Sequence, residues 1–189
     1  MDQAAVLTLF RSSGALLEGH FRLSSGLHSG GYLQCALVLQ HPLHAEALGR
    51  ALGERLRALG ATAVLSPALG GLIIGHEVGR ALGVRAIFAE RVEGALTLRR
   101  GFQLGAGDRV VVIEDVVTTG GSTRETMAVA EAAGAAVVGA GAIIDRSGGS
   151  SNLGVPFASL VTLSLPTHQP DACPMCAAGQ AVVKPGSRK

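Results

Sequence analysis

The chain has 189 residues, 48% of them hydrophobic and 16% charged, which is enough apolar material for one folded core and excludes a disordered chain. Its 16 Lys and Arg against 14 Asp and Glu leave a net charge of +2, and with five Phe, one Tyr and no Trp it lacks both the massed positive charge and the stacking rings of a nucleic-acid-binding protein. Three cysteines are too few for a disulfide framework, no apolar run reaches the roughly 18 residues of a membrane span, and MDQAAVLTLF does not read as a secretory signal, so a cytoplasmic protein is expected.

Apolar residues from Asp2 to Gly19 (Val6, Leu7, Leu9, Phe10, Ala15, Leu16) recur at helical spacing, which predicts a helix ending near Gly14 or Gly19. Phe21 to Leu23 and Tyr32 to Leu39 read as extended, separated by the loop SSGLHSGG. Leu43 to Leu59 carries Leu48, Leu52, Leu56 and Leu59 on one stripe and closes at Gly60, the clearest helix of the chain. A short apolar run (Ala63 to Leu65), a Pro/Gly loop (Ser66 to Gly71), a helix (Leu72 to Leu82) and a second run (Arg85 to Ala89) follow. The pattern repeats as Val110 to Val117, the loop Thr118 to Ser122, a helix from Thr123 to Ala133 and a strand from Val137 to Ile144. Strand, loop, helix, strand is the order of a parallel α/β sheet with helices on its faces, which binds ligands beyond the carboxyl ends of its strands. The expected division is a core over 43–150 and a small hood from 12–39 and 155–183 in a single domain, with the tail KPGSRK frayed.

Chemistry concentrates in Glu114-Asp-Val-Val-Thr-Thr-Gly-Gly-Ser122. Adjacent carboxylates at the end of an apolar strand need partners, because an unpaired buried charge is costly. The hydroxyls and unshielded backbone N–H groups of Thr118, Thr119, Gly120, Gly121 and Ser122 stand where a helix begins, an arrangement that holds a phosphate. Carboxylates suit ribose hydroxyls and the amide-rich loop suits a phosphate, so together they suggest a ribose 5-phosphate clamp. A capped helix with no ligand would need fewer of these groups. A Walker A loop is excluded because no lysine follows the glycines; the chain's two lysines are Lys184 and Lys189.

This segment resembles the phosphoribosyl pyrophosphate (PRPP) signature of type I phosphoribosyltransferases. The flanking FRLSSGLHS (Phe21 to Ser29), SPALGG (Ser66 to Gly71), Glu90-Arg91 and IDRSGG (Ile144 to Gly149) are similar to the orotate phosphoribosyltransferase family, in matching order over about four-fifths of the chain. The resemblance implies the type I phosphoribosyltransferase fold and transfer of phosphoribosyl from PRPP to orotate, giving orotidine 5′-phosphate and pyrophosphate in pyrimidine synthesis. It implies that Glu114 and Asp115 hold the ribose 2′- and 3′-hydroxyls, and that PRPP is further bound by Val116, Val117 and the loop Thr118 to Ser122. Arg146, Thr118, Tyr32 and Ser24 would meet orotate, with Leu33 beside Tyr32 against the base. Mg²⁺ would arrive on PRPP rather than on protein ligands, and Arg91 would reach the diphosphate of the neighbouring subunit of a homodimer. Val92 to Phe102 is the expected mobile loop, with Arg99 and Arg100 as its catalytic cations.

Family lysines are missing at Ser24, Gly70 and Val92 and in that loop, where arginine would have to serve. Two other readings stay open: a phosphoribosyltransferase for a purine or other base, and a noncatalytic PRPP-sensing regulator. His28 reads as a solvated loop histidine. Cys173-Pro-Met-Cys176, with His168 before it, reads as a tight turn of reduced thiols, since one CxxC supplies half of a structural zinc site and the rest would have to come from afar.

Overall fold

The computed structural model describes residues 1–23 and 25–185; the predicted orotate ligand Ser24 and the tail residues 186–189 lie outside the described residues. Helix α1 (Gln3–Ser12) is capped by Asp2, whose carboxylate accepts the Ala5 N–H at 2.8 Å. It ends at the first of the two expected stops, because Gly14 at φ +68° turns the chain and Leu16 enters strand β1 (Leu16–Arg22). Strand β2 (His28–Leu33) pairs antiparallel with β1. The run expected to stay extended through Leu39 instead turns into α2 (Cys35–Leu39), which buries Cys35, Val38 and Leu39 on one side at helical spacing.

Helix α3 (Pro42–Leu56) is followed by a short 3₁₀ turn that closes at the left-handed Gly60, as its stripe predicts. Then come β3 (Ala63–Pro67), α4 (Gly71–Leu82), β4 (Arg85–Val92), β5 (Ala95–Leu98), β6 (Arg109–Val117), α5 (Gly121–Ala132), β7 (Ala136–Asp145) and β8 (Phe157–Thr162). The central sheet has the order β5-β4-β3-β6-β7-β8, with β4, β3, β6, β7 and β8 parallel and β5 antiparallel at one edge. Parallel strands are covered on both faces, and Val64, Val111, Ile113 and Ile143 face one apolar cluster while Leu65, Val110, Val112 and Ala140 face the other. Two of the expected boundaries change. Strand β8, read as hood, is the outer strand of the central sheet, reached from β7 by a crossover without a helix. The expected loop from Val92 to Phe102 contains a hairpin: Glu93 (φ +49°) and Gly94 (φ +90°) make a two-residue turn between β4 and β5.

What remains of the hood is β1, β2 and β9 (Thr167–His168), which pairs with β2, together with α6 (Pro174–Ala177). Val183 joins this group by exchanging backbone hydrogen bonds with His20 and Arg22. No helix among the described residues is long and apolar enough to cross a membrane.

The abundant glycine is used largely for close approach. Helix α3 crosses α4 where a Cβ on Gly49 would lie 2.3 Å from the Cβ of Glu77 and 2.8 Å from its carbonyl carbon. Helix α4 in turn lies so near the sheet that a Cβ on Gly75 would fall 2.0 Å from Ser66 Oγ. At Gly49 the obstacles are the Cβ and backbone of Glu77, and at Gly75 the Ser66 Cβ stands 2.9 Å away behind its rotatable hydroxyl, so relief requires the elements to part. Gly49→Ala is therefore expected to lower stability by about 1–3 kcal/mol despite alanine's better helix propensity, read as a melting temperature lowered by several degrees; an unchanged or raised melting point would contradict this packing.

Candidate active site

Strand β6 is buried along its length until its carboxyl end, where Glu114 and Asp115 leave the apolar layer. Glu114 is only 5% exposed and accepts a 2.5 Å hydrogen bond from Ser122 Oγ at the start of α5. Burial pushes its carboxyl up to about 7; the Ser122 bond opposes this and the neighbouring Asp115 charge adds to it. Asp115 is half-buried and also raised, chiefly by burial, and accepts the Val116 N–H at 2.8 Å. Its other flank faces the loop between β3 and α4. A Cβ on Gly70 would come within 2.8 Å of Asp115 Oδ1, so bare backbone meets the carboxylate. Behind the pair, Cys35 is buried, and desolvation together with the Asp115 and Glu114 charges raises its thiol well above the usual value, leaving it a neutral packing group.

The chain leaves β6 at Val117 and passes through exposed Thr118 and Thr119 to Gly120, whose φ of +74° starts α5. Among the described residues, the backbone N–H groups of 119–123 find no protein acceptor, and they gather at the N-terminus of a 12-residue helix. Arg124 braces this loop from behind by donating to Thr119 O at 2.7 Å and to Asn152 O at 3.2 Å, and Leu153 packs over Gly120. Neither brace is legible in the motif, because both arise where the segment after β7 folds back on α5.

Arg146 follows β7 and donates its N–H to Val117 O at 2.8 Å, which sets it beside the start of the amide-rich loop. It is not a surface arginine paired with Asp145. Asp145 is buried and accepts instead from Ser147 N at 2.8 Å, Ser147 Oγ at 2.6 Å and Gly149 N at 3.2 Å. Arg146 is left partly buried, with Nε lacking a partner and burial lowering its pKa, the condition of a cation positioned for an anion. Tyr32 lies half-buried on β2, its ring centre 6.0 Å from that of Phe21, with Leu33 half-buried beside it.

The predicted loop cations separate by their partners. Arg91 donates both Nη atoms to Glu125, at 3.0 and 2.7 Å, and also donates to Gly94 O. Arg100, at φ +57°, forks onto Glu90 at 2.9 and 2.7 Å and lies 5.8 Å from the Phe88 ring centre. Each pairing holds the partner carboxyl below the usual carboxylate range. Arg99 is exposed and makes no ion pair among the described residues. Thus the structure joins Glu114, Asp115 and the loop to Ser122 in one site with Arg146 adjacent, while Arg91 and Arg100 are bound to acids of their own chain.

His28 is not solvated. It is a buried residue of β2, against buried His20 and the thiols of the CxxC, whereas His168 pairs with it only along the backbone.

No family model matches the chain. It is 51% identical to the orotate phosphoribosyltransferase of Pelotomaculum thermopropionicum over 189 residues, covering 100% of both chains, and 53% identical to that of Heliobacterium modesticaldum over 190 residues, again covering 100% of both. Among solved structures, the orotate phosphoribosyltransferase of Aeropyrum pernix superposes with a TM-score of 0.70 at 27% identity, over 84% of this chain and 93% of that one. With full-length relatives at this identity, and with the acidic pair, amide-rich loop and Arg146 where the motif requires them, the chain belongs to the orotate phosphoribosyltransferase family.

Proposed function

We propose how this chain divides PRPP and orotate among its residues in the phosphoribosyl transfer of its family. The observation that carries the assignment is the pairing of two carboxyls raised by burial with a row of unpartnered N–H groups at the next helix. The loop from Thr118 to Ser122 takes the 5-phosphate, which neutralises the helix N-terminus. Glu114 and Asp115 accept hydrogen bonds from the ribose hydroxyls, with Val116 and Val117 supplying the backbone beside them. Arg146 presents a planar fork to the carboxylate or carbonyl edge of orotate, and Tyr32 and Leu33 approach the base from the hood.

Orotate N1 then attacks ribose C1 as the bond from C1 to the diphosphate oxygen breaks, the N1 proton leaves with the pyrophosphate, and positive charge develops on the sugar in the transition state. Ionised Glu114 and Asp115 below the ring stabilise that charge in a site from which water is displaced. The donor set near the diphosphate side, oxygen from Asp115 and bare backbone at Gly70, fits a hard divalent ion held on the substrate. Mg²⁺ bound in this way supplies charge neutralisation of the leaving group.

Closure falls to the β4–β5 hairpin and the turn after it, with Arg99 as the cation for the diphosphate. Arg100 shapes the turn through Glu90, and Arg91 becomes available to a neighbouring active site only by leaving Glu125. A homodimer suits this arrangement, since Leu69 (81% exposed) and Ile73 (44% exposed) form an apolar step beside the Gly70 loop. A cytoplasmic setting fits a reaction whose donor is a highly charged phosphorylated sugar.

Pyrophosphate release from PRPP and Mg²⁺ is expected with orotate and not with purine bases; release with purines alone, or none at all, overturns the substrate assignment. Removal of the Arg146 fork costs a charged hydrogen bond, so Arg146→Ala should lower kcat/KM for orotate roughly 10- to 100-fold while leaving PRPP affinity nearly intact. Glu114, raised to about 7, is half-protonated near neutrality in the free protein. Hydroxyl donors favour its ionised form, so PRPP binding should release protons and tighten as pH rises through 7, an effect lost in Glu114→Gln and measurable by calorimetry in buffers of different ionisation enthalpy. The same sign makes the ligand-free protein most stable below about 4.5 with respect to this group, with that contribution lost as pH passes 7. Arg99→Ala should lower kcat by at least 10-fold without shifting the melting temperature, whereas Arg100→Ala should loosen the hairpin; wild-type turnover in Arg99→Ala would remove Arg99 from the mechanism.

A further inference from the structure

Four side chains with metal-ligating atoms meet in the hood, away from the acidic pair. His20 comes from β1, His28 from β2, and Cys173 and Cys176 from the turn that opens α6. Cys173 Sγ and Cys176 Sγ lie 3.6 and 3.7 Å from His20 Nε2, and Cys176 Sγ lies 3.3 Å from His28 Nδ1. All four atoms fall within 4.8 Å of one another. Bond lengths of about 2.3 Å to sulfur and 2.0–2.1 Å to nitrogen at tetrahedral angles put S···N edges near 3.5 Å, and the three S···N separations of 3.3, 3.6 and 3.7 Å match them. The edge from His20 Nε2 to His28 Nδ1, at 2.8 Å, is a hydrogen-bond distance and has to widen to about 3.3 Å around an ion.

The surroundings favour zinc over a set of thiols and imidazoles with no ion. His20 Nδ1 lies 2.9 Å from Gln180 O, and a carbonyl only accepts, so the ring carries its proton at Nδ1 and turns the Nε2 lone pair toward the cluster. His20, His28 and Cys173 are 5%, 6% and 3% exposed, with Cys176 at the rim. Two thiolates and two neutral imidazoles carry two negative charges, which a divalent cation cancels, making burial of the cluster tolerable. Soft sulfur with borderline imidazole in a closed four-ligand set selects zinc over magnesium or calcium. The fold also has a use for it. The hood's three-stranded sheet adds no buried residue to either apolar cluster and touches the core through Leu16 and Leu33, and a small sheet of this kind commonly needs a cross-link.

We propose that His20, His28, Cys173 and Cys176 bind a structural zinc ion that fastens the C-terminal segment to the N-terminal hairpin. The two histidines stand on the paired strands β1 and β2, so the ion fixes the base of that hairpin while contributing nothing to the transfer chemistry.

The test uses the full chain expressed in zinc-supplemented medium and purified under reducing conditions. Elemental analysis should give one zinc per chain that survives dialysis against a chelator, and a mercurial reagent should release it. Protein stripped of zinc and titrated with Co²⁺ should develop the intense visible bands of a tetrahedral ion and thiolate charge-transfer absorption, with saturation at one ion per chain. Cys173→Ser and Cys176→Ser should lose the zinc, and His168→Asn should keep it. Because the serine variants could fail to fold, the wild-type Co²⁺ spectrum decides independently. Substoichiometric zinc, a weak octahedral spectrum, zinc retained by the double serine variant, or a Cys173–Cys176 disulfide in the purified protein would each overturn the assignment. None of these readouts depends on phosphoribosyl transfer.

Discussion

Two neighbouring carboxyls at the end of a buried parallel strand are the constraint around which this molecule is arranged. Desolvation disfavours the charge of Glu114 and Asp115, and no cation among the described residues pairs with either. Ser122, the Val116 N–H and the start of α5 supply only partial compensation. A ligand with hydroxyls at one end and an anion at the other, as proposed, would complete the deficit. A site that is electrostatically unfinished in the free protein gains its binding specificity from the group that finishes it.

Close packing makes room for this arrangement. Glycines in α3 and α4 let the two helices and the sheet approach within distances that any Cβ would forbid, and the loop before α4 is thereby brought up to Asp115. At Gly70 the same economy of atoms lets bare backbone meet the carboxylate. At the edge of the sheet, Arg91 and Arg100 are held in bidentate pairs with Glu125 and Glu90, leaving Arg99 exposed. Arginine in a fork is a rigid donor, so the geometry of these two cations is set by their acidic partners.

The hood follows another logic. It shares little of the apolar core, and its strands are short, yet buried imidazoles and thiols converge at its centre. Polar atoms concentrated where a small sheet would otherwise need hydrophobic volume are best understood as ligands for a cross-linking ion, and the hydrogen bond from His20 to Gln180 O orients one of them in advance.

The core and the strand end that carries the acidic pair and amide-rich loop were legible in the sequence because their signals are local. Val110 to Val117 is a continuous apolar run, the acids and glycines follow within a few residues, and the helix after them starts where the backbone needs N–H groups free. The hood was not legible for the same reason in reverse. Ala15 and Leu16 continue a helical spacing that Gly14 has already ended, Cys35 to Leu39 is too short and uniformly apolar for periodicity to assign, and β8 joins the sheet without the crossover helix that would have announced it. The metal cluster required the tertiary structure altogether: His20 and Cys176 stand 156 positions apart and meet only because β1, β2 and the C-terminal turn pack together. Chemistry carried by one strand, loop and helix is determined by the order of residues, whereas chemistry assembled from separate elements exists only once the chain has folded.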